Sequence, residues 1–174
     1  MNKEFLPSDE TPVKTYRLMD SNADALSAIE LVVNAAQREL RIFDSTPRTL
    51  HDRGFGSLSR IEALRTLLLA NRGHQLRIVL HEVRAIEKEL PRLVDLLTRF
   101  SGQIQVHRTI GQAIEARDPM IIADDCHFWR KMHIDQPRSV ITLHDAAGTR
   151  PFLERFEEIW EKSEVAARGT TIGL

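Results

Sequence analysis

Three short apolar segments, separated by stretches with helical periodicity, constrain the fold of this 174-residue chain most. LRIFD, QLRIVLH and QIQVHRT, at residues 40–44, 75–81 and 103–109, have the length and composition of buried strands. The stretches between them, residues 58–73 and 86–100, repeat apolar side chains at helical spacing. Strands that alternate with helices in this way predict a β-sheet covered by helices.

Each predicted helix has an apolar face and a recognisable boundary. Ser21 and Asp24 resemble a capping box with Asp in place of Glu, which predicts a first helix after Ser21. The inward positions are expected to be Ala25, Ile29, Val32, Val33 and Ala36 in the first helix, Leu58, Ile61, Leu64 and Leu68 in the second, and Leu90, Leu93, Leu97 and Phe100 in the third. Gly73 is expected to end the second helix, and Pro91 to break the third near its start.

The second half of the sequence predicts hairpins. PMIIAD and CHFWRKM flank Asp124-Asp125, which indicates two antiparallel strands joined by a tight turn. SVITLH at 139–144 is a further strand, and KTYRLM at 14–19 is expected to be an edge strand. Pro, Gly and Asp residues indicate a loop over residues 46–57. A last helix is expected from Thr149, with Pro151 in its first turn and with an inward face made of Phe152, Phe156, Ile159 and Trp160.

These elements predict a single α/β domain, a mixed β-sheet with helices on both faces, over residues 14–165. Residues 1–13 are expected to be a flexible N-terminal arm, and residues 166–174 a C-terminal tail.

The composition predicts a cytoplasmic protein. Its formal net charge is -1, so no general attraction to nucleic acid or to anionic membranes is expected. Cys126 is the only cysteine, so no intrachain disulfide can form and nothing indicates an oxidising compartment. The longest apolar run, residues 67–70, is far shorter than the ~20 residues of a membrane helix. The first residues lack the apolar core of a signal peptide.

Chemistry-bearing side chains concentrate in RDPMIIADDCHFWRKMHID, residues 117–135. Asp124, Cys126, His127 and His133 are metal-ligand types, but Cys126 and His127 are adjacent and point to opposite faces of a strand. No C-x-x-C or H-E-x-x-H spacing occurs, so no metal site and no cofactor are predicted. A Ser/His/Asp or Cys/His hydrolase is possible in principle, yet the chain has no G-x-S-x-G elbow.

The order of the segments carries a family resemblance. A helix is followed by LRIFD, a long loop, SRIEALRTLLLANRGHQLRIVLHE, a further helix, QIQVHR and an acid-ended strand in a hairpin, and FLERFEEIWEKSE closes the chain. Over residues 20–165 this pattern resembles one half of the phospholipase D superfamily. More narrowly, it is similar to a bacterial branch of phospholipase D-like domains that is sometimes attached to acetyltransferase domains.

The resemblance implies that the catalytic motif His-x-Lys-x4-Asp is degenerate here. With Asp124 as the motif aspartate, Arg117 stands at the position of the histidine and Pro119 at that of the lysine. Lys131-Met132 replaces the Gly-Ser that usually follows. Family members attack phosphorus with a neutral imidazole, whereas arginine has no acceptor and does not deprotonate in proteins. The resemblance therefore implies a domain that is inactive in this mechanism.

We therefore expect a non-catalytic binding or assembly module, with a candidate anion groove that is formed by Arg117, Asp124, Arg130, His107 and His133. A phosphate-containing ligand or a partner protein is the expected occupant. The resemblance also implies a homodimer, because active members bring two motifs together and this chain holds one. Two alternatives remain at this stage: a phosphodiesterase or other hydrolase with a non-standard histidine site, and an RNA-associated accessory protein, although nucleic acid is the less favoured partner.

Overall fold

The computed structural model of the protein describes residues 12–132, 136–168 and 171–172. In these residues one sheet contains nine strands: β1 (Thr15–Met19), β2 (Glu39–Asp44), β3 (Gln75–Leu80), β4 (Ile104–Thr109), β5 (Met120–Ala123), β6 (His127–Lys131), β7 (Ser139–Leu143), β8 (Ser163–Arg168) and β9 (Thr171–Ile172). The helices are α1 (Asn22–Ala35), α2 (Pro47–Leu50), α3 (Leu58–Ala70), α4 (Ile86–Glu89), α5 (Pro91–Arg99) and α6 (Ala146–Glu161), with a π-helical turn at His51–Phe55 and a 3₁₀ turn at Gly111–Glu115.

The sheet is mixed, with the strand order β1-β7-β6-β5-β2-β3-β4-β8-β9. The strands β2, β3 and β4 pair in parallel, and the other neighbouring pairs are antiparallel. These directions give the sheet two distinct edges. At the upper edge, β2, β3, β4 and β6 end and β5 begins. The lower edge contains the starts of β2 and β3 and the turn between β5 and β6.

Helices cover both faces of the sheet, as the sequence predicts. On one face α1, α3 and α5 bury an apolar core that includes Ile29, Leu64 and Trp129. On the other face, α6 packs through Phe156 and Ile159 on Phe43, Val79, Ile122 and neighbouring side chains. Alternation along each strand separates the two sets, since successive side chains of a strand point to opposite faces.

A charged network fixes α6 to the sheet. Glu157 of α6 accepts from both terminal nitrogens of Arg77, at 2.9 and 2.6 Å, and lies 3.4 Å from Arg41 Nε. Burial opposes the ionisation of Glu157, but the hydrogen bonds and charges of Arg77 and Arg41 outweigh it and lower its pKa. The carboxylate is therefore ionised at neutral pH and balances the arginines beneath the helix.

Several boundaries differ from the sequence-based predictions. The region 46–57 is not a loop, because Thr46 and Thr49 form a reciprocal capping box that starts α2. Leu58 is 62% exposed, since it opens α3 on the solvent side. The segment 86–100 forms two helices that meet at Leu90, where Pro91 begins α5.

The end of the chain also departs from the prediction. Helix α6 begins at Ala146 rather than Thr149, because the Asp145 side chain accepts from the Gly148 N–H and caps the helix. Pro151 consequently lies inside the helix. Strand β8 was not predicted, and it continues beyond residue 165 to pair with β4. Of the predicted N-terminal arm, residues 1–11 lie outside the described part of the chain.

Candidate functional site

The upper-edge groove is a cavity of about 240 Å³ where α1, α2, the π-helical turn and the end of β6 meet. Its walls consist of Asn22, Ala25, Leu26, Ile29, Thr49, Asp52, Arg53 and Lys131. Two of these side chains are cations and one is an acid. Three apolar side chains of α1 line one wall, so the groove offers charged and apolar surface side by side.

Arg53 is held in the groove by a buried carboxylate. Asp44, at the end of β2, is fully buried and accepts from Arg53 Nε and, at 3.4 Å, from Nη2. The guanidinium also lies 4.9 Å from the centre of the Trp129 ring. Among the described residues no partner is found for Arg53 Nη1 or for the buried Trp129 Nε1. The pairing fixes Arg53 and leaves one of its terminal nitrogens available to a ligand.

Lys131 enters the groove from a strand next to the predicted motif. The register of β5 and β6 pairs Met120 with Arg130, and the ladder continues as the Lys131 N–H donates to the Pro119 carbonyl at 3.0 Å. Directly opposite residues of an antiparallel pair project to the same face. Lys131 and Pro119 therefore share the face that α1 covers.

The four predicted site residues that the structure describes, Arg117, Asp124, Arg130 and His107, do not meet in one groove. Arg117 is exposed at the upper edge, and its guanidinium donates to the Ile114 carbonyl at 3.2 Å. Asp124 lies at the lower edge, at the other end of β5, whose four residues alone span about 13 Å. His133 lies outside the described residues.

Asp124 has a structural role at the lower edge. Its carboxylate accepts from the backbone N–H groups of Gln37, Arg38 and Glu39 at 2.9, 2.8 and 3.0 Å. Its own N–H donates to the Glu39 carbonyl at 2.9 Å, and its φ is +52°. The side chain joins the hairpin turn to the start of β2, so it does not face the upper-edge groove.

Arg130 and His107 lie on the α6 face of the sheet. Arg130 packs over the Phe152 ring at 4.9 Å, and His107 stacks on Trp160 at 3.7 Å. The two residues are on β6 and β4, which are four strand positions apart, or about 19 Å. Neither residue lines the upper-edge groove, so the predicted cluster does not form.

Two other described histidines, His81 and His127, have hydrogen-bond partners outside the groove, whereas His51 lies 3.6 Å from the groove-lining Asp52. His81, near the upper edge, accepts from the Thr109 hydroxyl through Nδ1 and donates to the Ala116 carbonyl through Nε2, both at 2.8 Å. His127 Nδ1 accepts from the His144 N–H at 3.1 Å. His51 is exposed on the π-helical turn and is not part of the groove lining.

The residues that line the groove carried little signal in the sequence. Asp44 ends a strand that is otherwise apolar and buried, which was the one available clue to a buried ion pair. Its partner Arg53 lay in a segment expected to be a loop. For Lys131 the only sequence signal is its place where the resemblance has a glycine.

No metal centre is evident in the part of the chain that the structure describes. There, no three side chains of His, Cys, Asp or Glu come together as ligands. Cys126 is partly exposed in the turn before β6, where burial and the nearby Asp124 and Asp125 raise the pKa of its thiol. The described helices also include none with the length and apolar character needed to cross a bilayer.

A family model, described as a domain of unknown function (DUF7931), matches residues 21–168. The chain belongs to the DUF7931 family. The matched range of this DUF7931 domain runs from the cap of α1 to the end of β8 and so contains the upper-edge groove. A comparison with curated proteins gives no match.

Solved structures place the DUF7931 domain among phospholipase D-like folds. It is similar to Nuc from Salmonella typhimurium, a phospholipase D family member, with a TM-score of 0.56 and 15% identity over 88% of this chain and 98% of that chain. NucT from Helicobacter pylori gives a TM-score of 0.60 and 13% identity over 88% and 99%. TrmBL2, an archaeal chromatin protein that binds DNA, gives a TM-score of 0.63 and 16% identity over 91% of this chain but 56% of its own. At these identities the likeness shows the fold alone.

Proposed function

We propose that this DUF7931 domain is a catalytically inactive phospholipase D-like module that binds a phosphate-containing ligand or a partner. The observation that carries the proposal is the pair Arg117 and Pro119 at the positions of the family's histidine and lysine. Arginine has five donors and no lone pair with which to attack phosphorus, and proline brings no charge. The proposed domain thus lacks both a nucleophile and the motif cation.

The positions of the described histidines support this proposal. Nucleophilic catalysis needs an imidazole nitrogen within hydrogen-bonding distance of the reacting group. Both nitrogens of His81 are occupied, His107 lies beneath α6, and His127 accepts a backbone N–H near the lower edge. None of these side chains lines the upper-edge groove.

We also propose that the protein is a homodimer, as the resemblance implies. Phe128, Trp129 and Met132 follow Asp124 and could form an apolar contact, but Phe128 and Trp129 are 3% and 1% exposed within one chain, whereas Met132 is 48% exposed. The support comes instead from Ile110 and Ile114, which are 41% and 51% exposed at the upper edge beside Arg117. Light scattering behind a sizing column should give twice the 19.9 kDa of one chain. A single-chain mass at tens of micromolar would contradict the dimer.

The cytoplasmic location, and the attachment of this branch to acetyltransferase domains, stay expectations from the sequence and from the resemblance.

A phosphodiesterase assay tests the central proposal. The purified protein would be incubated with bis-(p-nitrophenyl) phosphate, single-stranded DNA and phosphatidylcholine, beside an active phospholipase D as positive control. We expect no turnover above a heat-denatured sample. Turnover that disappears in His51→Ala, His107→Ala or His133→Ala would establish a histidine-dependent hydrolase and overturn the proposal.

A further inference from the structure

We infer that Lys131 replaces the missing motif lysine from the neighbouring strand, and that Lys131 and Arg53 together bind the phosphate group of an apolar phosphomonoester. The inference rests on the proposed function, since it names the ligand class and the binding residues of the same site. Its basis is the strand register and the ion pair beneath the groove, two observations that are independent of each other.

The register explains how a lysine on β6 can serve the same site as a lysine on the neighbouring strand β5. Pro119 and Lys131 face each other across the β5–β6 ladder, with the Lys131 N–H bound to the Pro119 carbonyl. Opposed side chains in such a pair lie about 5 Å apart at Cβ and on the same face. A lysine ammonium at the end of four methylenes therefore covers from position 131 the space that a lysine at 119 would cover.

Arg53 supplies the second cation in a fixed orientation. Asp44 accepts from Nε and Nη2, and the guanidinium carbon lies 4.9 Å from the centre of the Trp129 ring, so the group cannot turn freely. Nη1 has no partner among the described residues, although Arg53 belongs to the groove lining. A guanidinium that is held on one side by a carboxylate presents its remaining donor to an anion with little loss of side-chain entropy.

The acid in the lining does not cancel this charge. Asp52 is 57% exposed at the side chain, and its Oδ1 lies 3.3 Å from Arg48 Nε outside the groove. Arg53 and Lys131 are the two cationic side chains of the lining. Since the groove holds about 240 Å³, it accommodates a small ligand and not a folded polymer.

The apolar wall of the groove favours a ligand that carries an apolar group next to its phosphate. Ala25, Leu26 and Ile29 of α1 line the groove beside the cations, and Leu26 is 38% exposed. A ligand with a phosphate and an adjoining ring or short alkyl group would cover this surface and gain from its burial. Phenyl phosphate is therefore expected to bind more tightly than inorganic phosphate.

Calorimetric titration of the full chain with phenyl phosphate and with inorganic phosphate tests the inference. Lys131→Ala is expected to weaken the binding of phenyl phosphate about tenfold or more, because a charge-assisted bond is lost. Adding Pro119→Lys to Lys131→Ala should restore most of the affinity, since the new lysine projects to the same face. Lys88→Ala, which removes an exposed lysine from α4, is the matched control and should bind as the parent does.

Each result decides the inference. Unchanged binding in Lys131→Ala, or no rescue in a double variant whose circular dichroism is native, would overturn the replacement of one lysine by the other. Failure of the unaltered chain to bind phenyl phosphate would remove the ligand class. Hydrolysis of the titrant would instead disprove the inactive module while leaving the binding residues intact, so the two failures are distinguishable.

Discussion

The two ends of β5 differ in how firmly their polar side chains are held. At the lower end the Asp124 carboxylate accepts from three consecutive backbone N–H groups that lead into β2. At the upper end, where the motif's histidine and lysine would stand, Arg117 is exposed and Pro119 serves as a backbone acceptor for Lys131. The contrast is between a side chain that holds two segments of the fold together and a side chain whose removal the fold is expected to tolerate.

The physical reason lies in what each end must satisfy. Backbone N–H groups near the interior require an acceptor, so the loss of Asp124 would affect the pairing of β2 as well as the hairpin. Within the described residues the Arg117 side chain makes one hydrogen bond, to a carbonyl three residues before it. Replacing such a residue leaves no buried group unsatisfied.

The largest expected effect comes from Asp124→Ala. Removing the carboxylate leaves three N–H donors without their acceptor and places alanine at a φ of +52°, so we expect the free energy of unfolding to fall by about 3 kcal/mol. Urea denaturation followed by circular dichroism measures the change.

Two variants separate the causes. Asp124→Gly removes the carboxylate but suits the positive φ, and Asp124→Asn retains one acceptor oxygen and tolerates this backbone conformation. We expect the loss of stability to decrease in the order Ala, Gly, Asn. A loss below about 0.5 kcal/mol for alanine would mean that the lower end of β5 is as tolerant as the upper end.

A smaller effect is expected from the titration of His127, which follows the same turn. Burial lowers the pKa of His127, the neighbouring His144 lowers it further, and Asp124 partly opposes them. Below the ordinary histidine pKa of about 6.5 the unfolded chain therefore takes up a proton that the folded chain resists. Stability from this residue is present above that pH and declines as the solution is acidified.

Denaturation curves from pH 8 to pH 5 for the parent and for His127→Asn test this prediction. Asparagine places an oxygen near the position of Nδ1, which accepts the His144 N–H, but it does not titrate. The parent should lose more stability than the variant on acidification. Parallel curves would show that His127 has no part in the pH dependence.

Periodicity made the layers of the fold predictable. The strands at 40–44, 75–81 and 103–109 alternate with amphipathic segments, and the Asp124-Asp125 turn joins a hairpin, because each pattern has one favourable way to bury its apolar face. The resemblance placed the motif positions, and the shared fold with Nuc and NucT agrees with it.

The groove was not predictable because it depends on pairings between distant segments. Asp44 and Arg53 meet only after α2 forms in a stretch whose Pro and Gly residues indicated a loop. Lys131 joins the site through a register that the sequence does not specify, since a shift by one residue would turn its side chain to the α6 face. His107 and Arg130 were grouped by residue type, and the sheet order separates them.

The smallest expected effect is that of Arg117→Ala, and it tests the tolerant end of β5. The side chain is exposed and gives a single hydrogen bond of 3.2 Å to the Ile114 carbonyl, which solvent can replace. We expect the free energy of unfolding to change by no more than about 0.5 kcal/mol. We also expect the affinity for phenyl phosphate to remain that of the parent, because Arg117 does not line the upper-edge groove. A fall in affinity comparable to that of Lys131→Ala would bring Arg117 back into the anion site. Arg117 would then have a binding role at the upper end of β5. The two ends would no longer differ as a tolerant end and a structural end.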